Sequence, residues 1–191
     1  MRKLRKGHDL YLRAVATWDS EAEITHPVDY RLVHNTFVTM FWRTSLLDET
    51  VQWLRAHGYD VVEFDAAAWG SPVSMLDDVA AALDFPDHFG RNLDALNDCM
   101  ADVASGEYGW RAEATGLVMV LKAFDTFTAV DRRAAQIMLD IFAQRARSAI
   151  LLGNRIICLV QSNDPALTFQ PVGSVPVVWN EAESLNSKRG I

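Results

Sequence analysis

Asp84-Phe85-Pro86-Asp87-His88-Phe89-Gly90-Arg91-Asn92-Leu93-Asp94-Ala95-Leu96-Asn97-Asp98-Cys99-Met100 reads as a tight turn feeding straight into an amphipathic helix. Pro86 fixes φ and ends whatever helix precedes it, while Gly90 is free to take the left-handed conformation a sharp turn needs. Asn92 is the expected N-cap, its side-chain oxygen reaching an orphan N–H one turn in. Beyond it Leu93, Leu96, Met100 and Val103 recur at i, i+3, i+7 and i+10, the buried stripe of a 3.6-residue period. Asp94, Asp98 and Asp102 fall at i, i+4 and i+8, so three carboxylates stack along one exposed edge. Asp94 sits in the first turn, where the helix dipole favours it. Asp98 and Asp102 lie further on, where like charges at i,i+4 cost roughly 0.2–0.5 kcal/mol per pair. Asp is also a poorer helix former than Glu. Such a stack is either a solvated acidic face or a stiff presentation of carboxylates to a cationic partner.

Outward from this stretch the chain alternates strands and helices. On the N-terminal side, residues 1–30 read as mixed-charge, irregular chain, with a short helix expected about Leu10–Ala16. Thr36–Trp42 is β-branched and aromatic and reads as a buried strand. Thr44 or Ser45 then caps a helix with Asp48 and Glu49 in its first turn, and Gly58 is its C′ stop. Tyr59–Phe64 follows as a strand parallel to the first. Ser74 caps the next helix, with Asp77 at the capping-box position. On the C-terminal side, Thr115–Leu121 is apolar throughout, as suits a central parallel strand buried on both faces. Phe124–Phe127 reads as a loop, and a long helix runs from about Asp131 to the turn signal Gly153-Asn154. Ile156–Val160 is another buried strand. Val175–Trp179 carries Pro176 and so reads as an edge strand, and the last residues read as disordered. The order defines an α/β fold, a small, mostly parallel sheet covered by helices. Residues 1–57 form an N-terminal extension, 58–164 the main domain and 165–191 a tail.

The net charge of −7 is unevenly placed. Residues 58–164 hold 16 acids and 8 bases, whereas 1–57 hold 7 acids and 8 bases and 165–191 hold 2 of each. The acidity therefore lies in the middle of the chain. This argues against binding a nucleic-acid backbone and fits a basic protein partner. Cys99 and Cys158 make neither a disulfide framework nor a metal-ligand spacing. The basic start Met1–Lys6 has no apolar stretch behind it, because Asp9 and Arg13 interrupt, so export is not expected. No apolar run approaches the ~18 residues a membrane span requires. A cytoplasmic protein without membrane contact is the expectation.

Phe85-Pro86-x-x-Phe89-Gly90-x-Asn92-Leu93-Asp94-Ala95-Leu96-x-Asp98-Cys99 resembles the signature of the barstar family, intracellular protein inhibitors of barnase-type ribonucleases. The resemblance runs in pattern over about residues 59–162 and implies the same α/β core. In that family the turn and the helix after it plug a ribonuclease cleft, and carboxylates stand where RNA phosphate would bind. Carried over, Asp98 would be the principal phosphate mimic and Asp94 the second charged contact. Asn92, Leu93 and Gly90 would add contacts from the turn, with His88 and Asn97 beside them. His88 stands where the family often has a large aromatic, and Asn97 where the small inhibitor has a tryptophan. Arg91 sets a positive charge in the acidic edge. In the last helix Gln144 falls roughly where the family places an acidic contact. These departures leave a second possibility, an immunity or regulatory protein of the same fold that binds an unrelated toxin or other partner.

An enzyme is not expected. On the helix Cys99 projects about 100° from Asp98, toward the apolar side, and so reads as a core thiol. His88, Asp94 and Asp98 lack a metal-ligand spacing. No phosphate-cradling glycine loop, dinucleotide fingerprint or nucleophile elbow occurs. Neither cofactor nor metal is expected.

Overall fold

Alternate residues of the central strands go to opposite faces of the sheet, and both faces are buried. The computed structural model describes residues 26–191. The basic start Met1–Lys6 and the helix expected about Leu10–Ala16 lie outside the described residues. In chain order the elements are α1 (Val28–Val33), β1 (Val38–Phe41), α2 (Thr44–Ala56), β2 (Asp60–Asp65), α3 (Pro72–Ala82) and α4 (Leu93–Ser105). After them come β3 (Leu117–Lys122), α5 (Phe124–Val130), α6 (Arg132–Leu151), β4 (Ile156–Gln161) and β5 (Val178–Trp179). The strands form one sheet in the order β2-β3-β4-β1-β5, and every pairing is parallel. This is the expected α/β class.

β1 and β5 both add to the β4 edge, with Val38 opposite Cys158 and Thr39 opposite Val178. The strands before and after α2 are parallel as expected but not adjacent, since β3 and β4 lie between them. Leu117, Met119, Leu121, Ile156, Cys158 and Val160 pack with the core of α3, α4, α5 and α6. Val118, Val120, Ile157 and Leu159 face the other way, onto Leu47, Val51 and Leu54 of α2 and Leu32 of α1. α1 and α2 thus cover the centre of that face of the sheet. Tyr59 joins α1 to that face by donating to Asp29 Oδ2 at 2.8 Å. Burial, and then the neighbouring Asp29, push its hydroxyl up to about 12.

Several local expectations are corrected. α1 occupies chain read as irregular, and its Leu32 is buried under the sheet. α2 starts at Thr44 behind Arg43, with no acid in its first turn and no side-chain cap of its own. Its entrance is closed instead from the far end of the chain. The fully buried Glu183 carboxylate accepts the Trp42 and Arg43 backbone N–H groups and Arg43 Nε, each at 2.9 Å. α3 is capped by Ser71 rather than Ser74. Pro72 follows at N1, and Ser74 occupies the reciprocal N3 position assigned to Asp77. The expected loop at Phe124–Phe127 is α5, because both rings are buried and Thr128 Oγ1 donates back to the Phe124 carbonyl. The tail expected to be disordered makes 3₁₀ turns at Glu181–Glu183 and Asn186–Lys188. There the buried Arg189 donates to the carbonyls of Pro165 and Ser184 and stacks over Trp179, 4.6 Å from the ring centroid.

Candidate functional site

The turn before α4 is built by hydrogen bonds that the sequence only partly announces. α3 ends with Asp84 in the left-handed region (φ 54°) and the Phe85 N–H donating to the Ala80 carbonyl at 2.9 Å. The next left-handed residue is Arg91 (φ 47°), and Gly90, expected there, is not. Gly90 is needed for space instead. A Cβ on it would lie 3.2 Å from Asn92 Nδ2 and 3.4 Å from Ala95 Cβ. Asn92 clamps both sides of the junction, with Oδ1 accepting from the Ala95 N–H at 2.8 Å and Nδ2 donating to the Gly90 carbonyl at 3.2 Å. It is the helix N-cap, as expected.

The far end of α4 is held as firmly. Gly106 (φ 84°) takes the left-handed cap, and Glu107 N–H returns to the Asp102 carbonyl. Trp110 Nε1 donates to the Val103 carbonyl and Asn154 Nδ2 to that of Ala104, both at 2.9 Å. Leu96, Met100 and Val103 are completely buried, while Leu93 is half-buried. Cys99 is buried, as expected of a core thiol. The outcome is a short helix fixed at both ends and along one side.

Its acidic edge divides in two. Asp94 and Asp98 are exposed, and among the described residues neither takes part in an ion pair. Asp102 is half-buried, with Oδ2 at 3.3 Å from the Tyr108 hydroxyl, which also lies 3.1 Å from the Cys99 carbonyl. Burial, then Cys99 and Asp102, push the Tyr108 hydroxyl up. Tyr108 in turn stacks edge-on against Phe85, which meets Phe89 at 5.1 Å, so Asp102 belongs to the scaffold beneath the turn.

The other expected site residues are placed as follows. His88 is exposed beside Phe89. Arg91 does not stand in the acidic edge but pairs with Asp77 of α3 at 3.0 Å. Asn97 is half-buried, and its Oδ1 accepts from Arg145 Nε and Nη2 of α6, at 3.1 and 2.7 Å. Gln144 is exposed and donates to Asp140 Oδ2 at 2.6 Å, while the other oxygen of Asp140 accepts from the Gly173 N–H at 2.8 Å. Sequence reasoning passed over both Asp140 and Arg145. The i,i+4 spacing of Asp140 and Gln144 was a usable signal. Nothing local marks Arg145, which meets Asn97 across 48 positions of chain. Among the described residues no group of three or more His, Cys, Asp or Glu is placed to hold a metal ion, and no helix is long and apolar enough to cross a membrane.

Fold and site together define a parallel α/β protein whose distinguishing surface is a rigid helix edge bearing unpaired carboxylates. The family model described as Barstar (barnase inhibitor) matches residues 59–161, more than half of the sequence, and the chain belongs to the Barstar family. The family's role is inhibition of a barnase-type ribonuclease, so membership points to an inhibitor with a protein partner. No curated protein matches the chain.

Proposed function

We propose that this protein inhibits a ribonuclease by seating the turn at residues 85–91 and the first half of α4 in the enzyme's active-site cleft. Asp98 takes the place of an RNA phosphate and Asp94 makes the second charged contact. Asn92, Leu93 and Gly90 shape the turn against the cleft wall, with His88 and Asn97 at its margin. A cleft that binds phosphate gathers cationic groups, and their field draws a carboxylate-bearing partner in quickly. Arg–carboxylate hydrogen bonds are charge-assisted and can be bidentate, so no chemistry is required of the inhibitor. The observation that carries this reading is the pair Asp94 and Asp98, exposed and without an ion-pair partner among the described residues, on a helix capped at both ends. Residues 58–164 form the inhibitory unit, the flanking strands Val38–Phe41 and Val178–Trp179 complete its sheet, and the protein acts in the cytoplasm.

The test is a titration into an assay of a purified small guanyl-preferring microbial ribonuclease, with Asp98→Ala in parallel. Stoichiometric inhibition that the variant loses and that salt weakens is the expected result. Absence of inhibition by the unmodified protein would sink this partner class. A second reading, a target outside the barnase type, is favoured by one observation: Asn97 is engaged by Arg145 and offers no aromatic anchor.

A further inference from the structure

The chain on either side of the family match meets around one cavity. It measures about 560 Å³, and every residue that lines it falls within 28–53 or 178–184, none within the matched 59–161. α1 and the turn after it form one wall, α2 a second, and β5 with the 3₁₀ turn behind it a third. The Arg31–Glu181 ion pair ties the first wall to the third. A volume of this size lies in the range of small-ligand sites, roughly 300–1,000 Å³.

The chemistry of the lining points to a cation. Trp53 and Trp179 both line the cavity, and each has one face taken by its own chain. His57 stacks on Trp53 with ring centroids 3.6 Å apart, and the Arg189 guanidinium lies 4.6 Å from the Trp179 ring centroid. Neither His57 nor Arg189 lines the cavity, so both indoles are held from outside and turn their remaining surface inward. Glu49 precedes Trp53 by one helical turn, which puts carboxylate and indole on the same side of α2. Among the charged lining residues Arg31 and Glu181 satisfy each other, whereas Glu49 has no ion pair among the described residues. Asn35 Nδ2 donates to His34 Nε2 at 2.6 Å, an acceptor role open only to the neutral ring. The lining therefore carries one uncompensated negative charge beside two indoles, a combination suited to organic cations.

We propose that this cavity is a second binding site, for a small organic cation consisting of an ammonium group on an apolar body. The ammonium sits between the Glu49 carboxylate and the Trp53 indole, and the body packs on Leu32, Leu46 and Trp179. Because the walls come from both ends of the described chain, the bound cation joins them and stabilises the fold by mass action. No residue of α4 or of the turn before it lines the cavity, so the site does not depend on the ribonuclease reading.

The test is calorimetric titration of the full chain at neutral pH with phenethylamine, and with phenethyl alcohol, which keeps the apolar body and lacks the charge. The amine is expected to bind at one site and to raise the melting temperature, and the alcohol to bind at least roughly tenfold more weakly. Glu49→Gln keeps the shape and removes the charge, so it should weaken the amine roughly tenfold and leave the alcohol unchanged. Trp53→Leu should weaken the amine as much or more, and Asp98→Ala not at all. Thermal melts establish that each variant is folded. Glu49 is exposed and unpaired, so Glu49→Gln decides the matter should Trp53→Leu fail to fold. The proposal is overturned if the amine does not bind, if the alcohol binds equally well, or if Glu49→Gln or a folded Trp53→Leu keeps full affinity. Loss of binding in Asp98→Ala would place the cation on the α4 edge instead and overturn it equally.

Discussion

The carboxylates at the rim of β2 and the pair Asp94 and Asp98 on α4 receive opposite treatment. Asp60 accepts from Arg111 Nε at 2.8 Å and from the Arg111 backbone N–H at 2.7 Å. Glu63 is bracketed by Lys122 Nζ, at 2.6 Å, and Arg55. Deeper in, Glu183 is fully buried and holds Arg43 and two backbone N–H groups. Beside α4, Arg91 pairs with Asp77 and Arg145 donates to Asn97, while no described cation pairs with Asp94 or Asp98. The same residue types therefore serve as structural ties in one region and stay uncommitted in the other. Binding a cationic cleft needs uncommitted charge, because a carboxylate already paired must give up one partner to gain another.

The contrast predicts where a deletion costs binding and where it costs stability. The largest effect expected is on binding. Asp98→Ala should weaken inhibition at least about a hundredfold, since an enzyme cation is left buried without its partner. The same change should move the urea midpoint little, within about 0.5 kcal/mol, as for other exposed positions. Equal losses in affinity and stability would erase the distinction between the two regions. Glu183→Ala should do the reverse. It strips acceptors from two backbone N–H groups and the Arg43 side chain at the entrance of α2, for a cost of about 3 kcal/mol. Chemical denaturation measures it directly, and an unchanged midpoint would show that the tail does not hold α2.

Asn92→Ala comes next and links the regions, because one side chain supports both the helix end and the turn. Loss of the cap costs about 1 kcal/mol, and loss of the bond to the Gly90 carbonyl loosens the loop that presents Asp94. Affinity should therefore fall along with stability, unlike Asp98→Ala, where only affinity falls.

Legibility followed the range of each interaction. α4, its Asn92 cap and its buried stripe could be read from the sequence because a helix and its cap are local, spanning three or four residues. The central strands were legible because burial on both faces demands a continuous apolar run. Gly90 was misread by one residue: its role is close approach to Asn92 and Ala95, and a glycine in sequence does not say which of its two freedoms is used. Ser71 was missed because the reciprocal partner of its cap is Ser74 rather than an acid. Glu183 and Arg145 were illegible for a firmer reason. Each acts on groups far along the chain, Trp42 and Arg43 for one and Asn97 for the other, and no spacing rule reaches so far.

The smallest effect expected is the pH dependence of the paired rim. The Arg111 side chain holds the Asp60 carboxyl below its usual range, and Lys122, then Arg55, do the same for Glu63. A carboxylate whose folded value is depressed stabilises the fold fully above its unfolded value, near 4, and loses that contribution as pH falls through the folded value. Stability should thus be flat at neutral pH and decline below about pH 4, and Asp60→Asn combined with Glu63→Gln should flatten the decline. The three ion pairs involved are partly exposed, so solvent screening keeps their contribution small. Urea midpoints measured from about pH 6 down to pH 3 decide the matter. If the doubly substituted protein kept the full acid limb, the rim would not be where the structural charge resides, and the division between tied and free carboxylates would have to be redrawn around Glu183 alone.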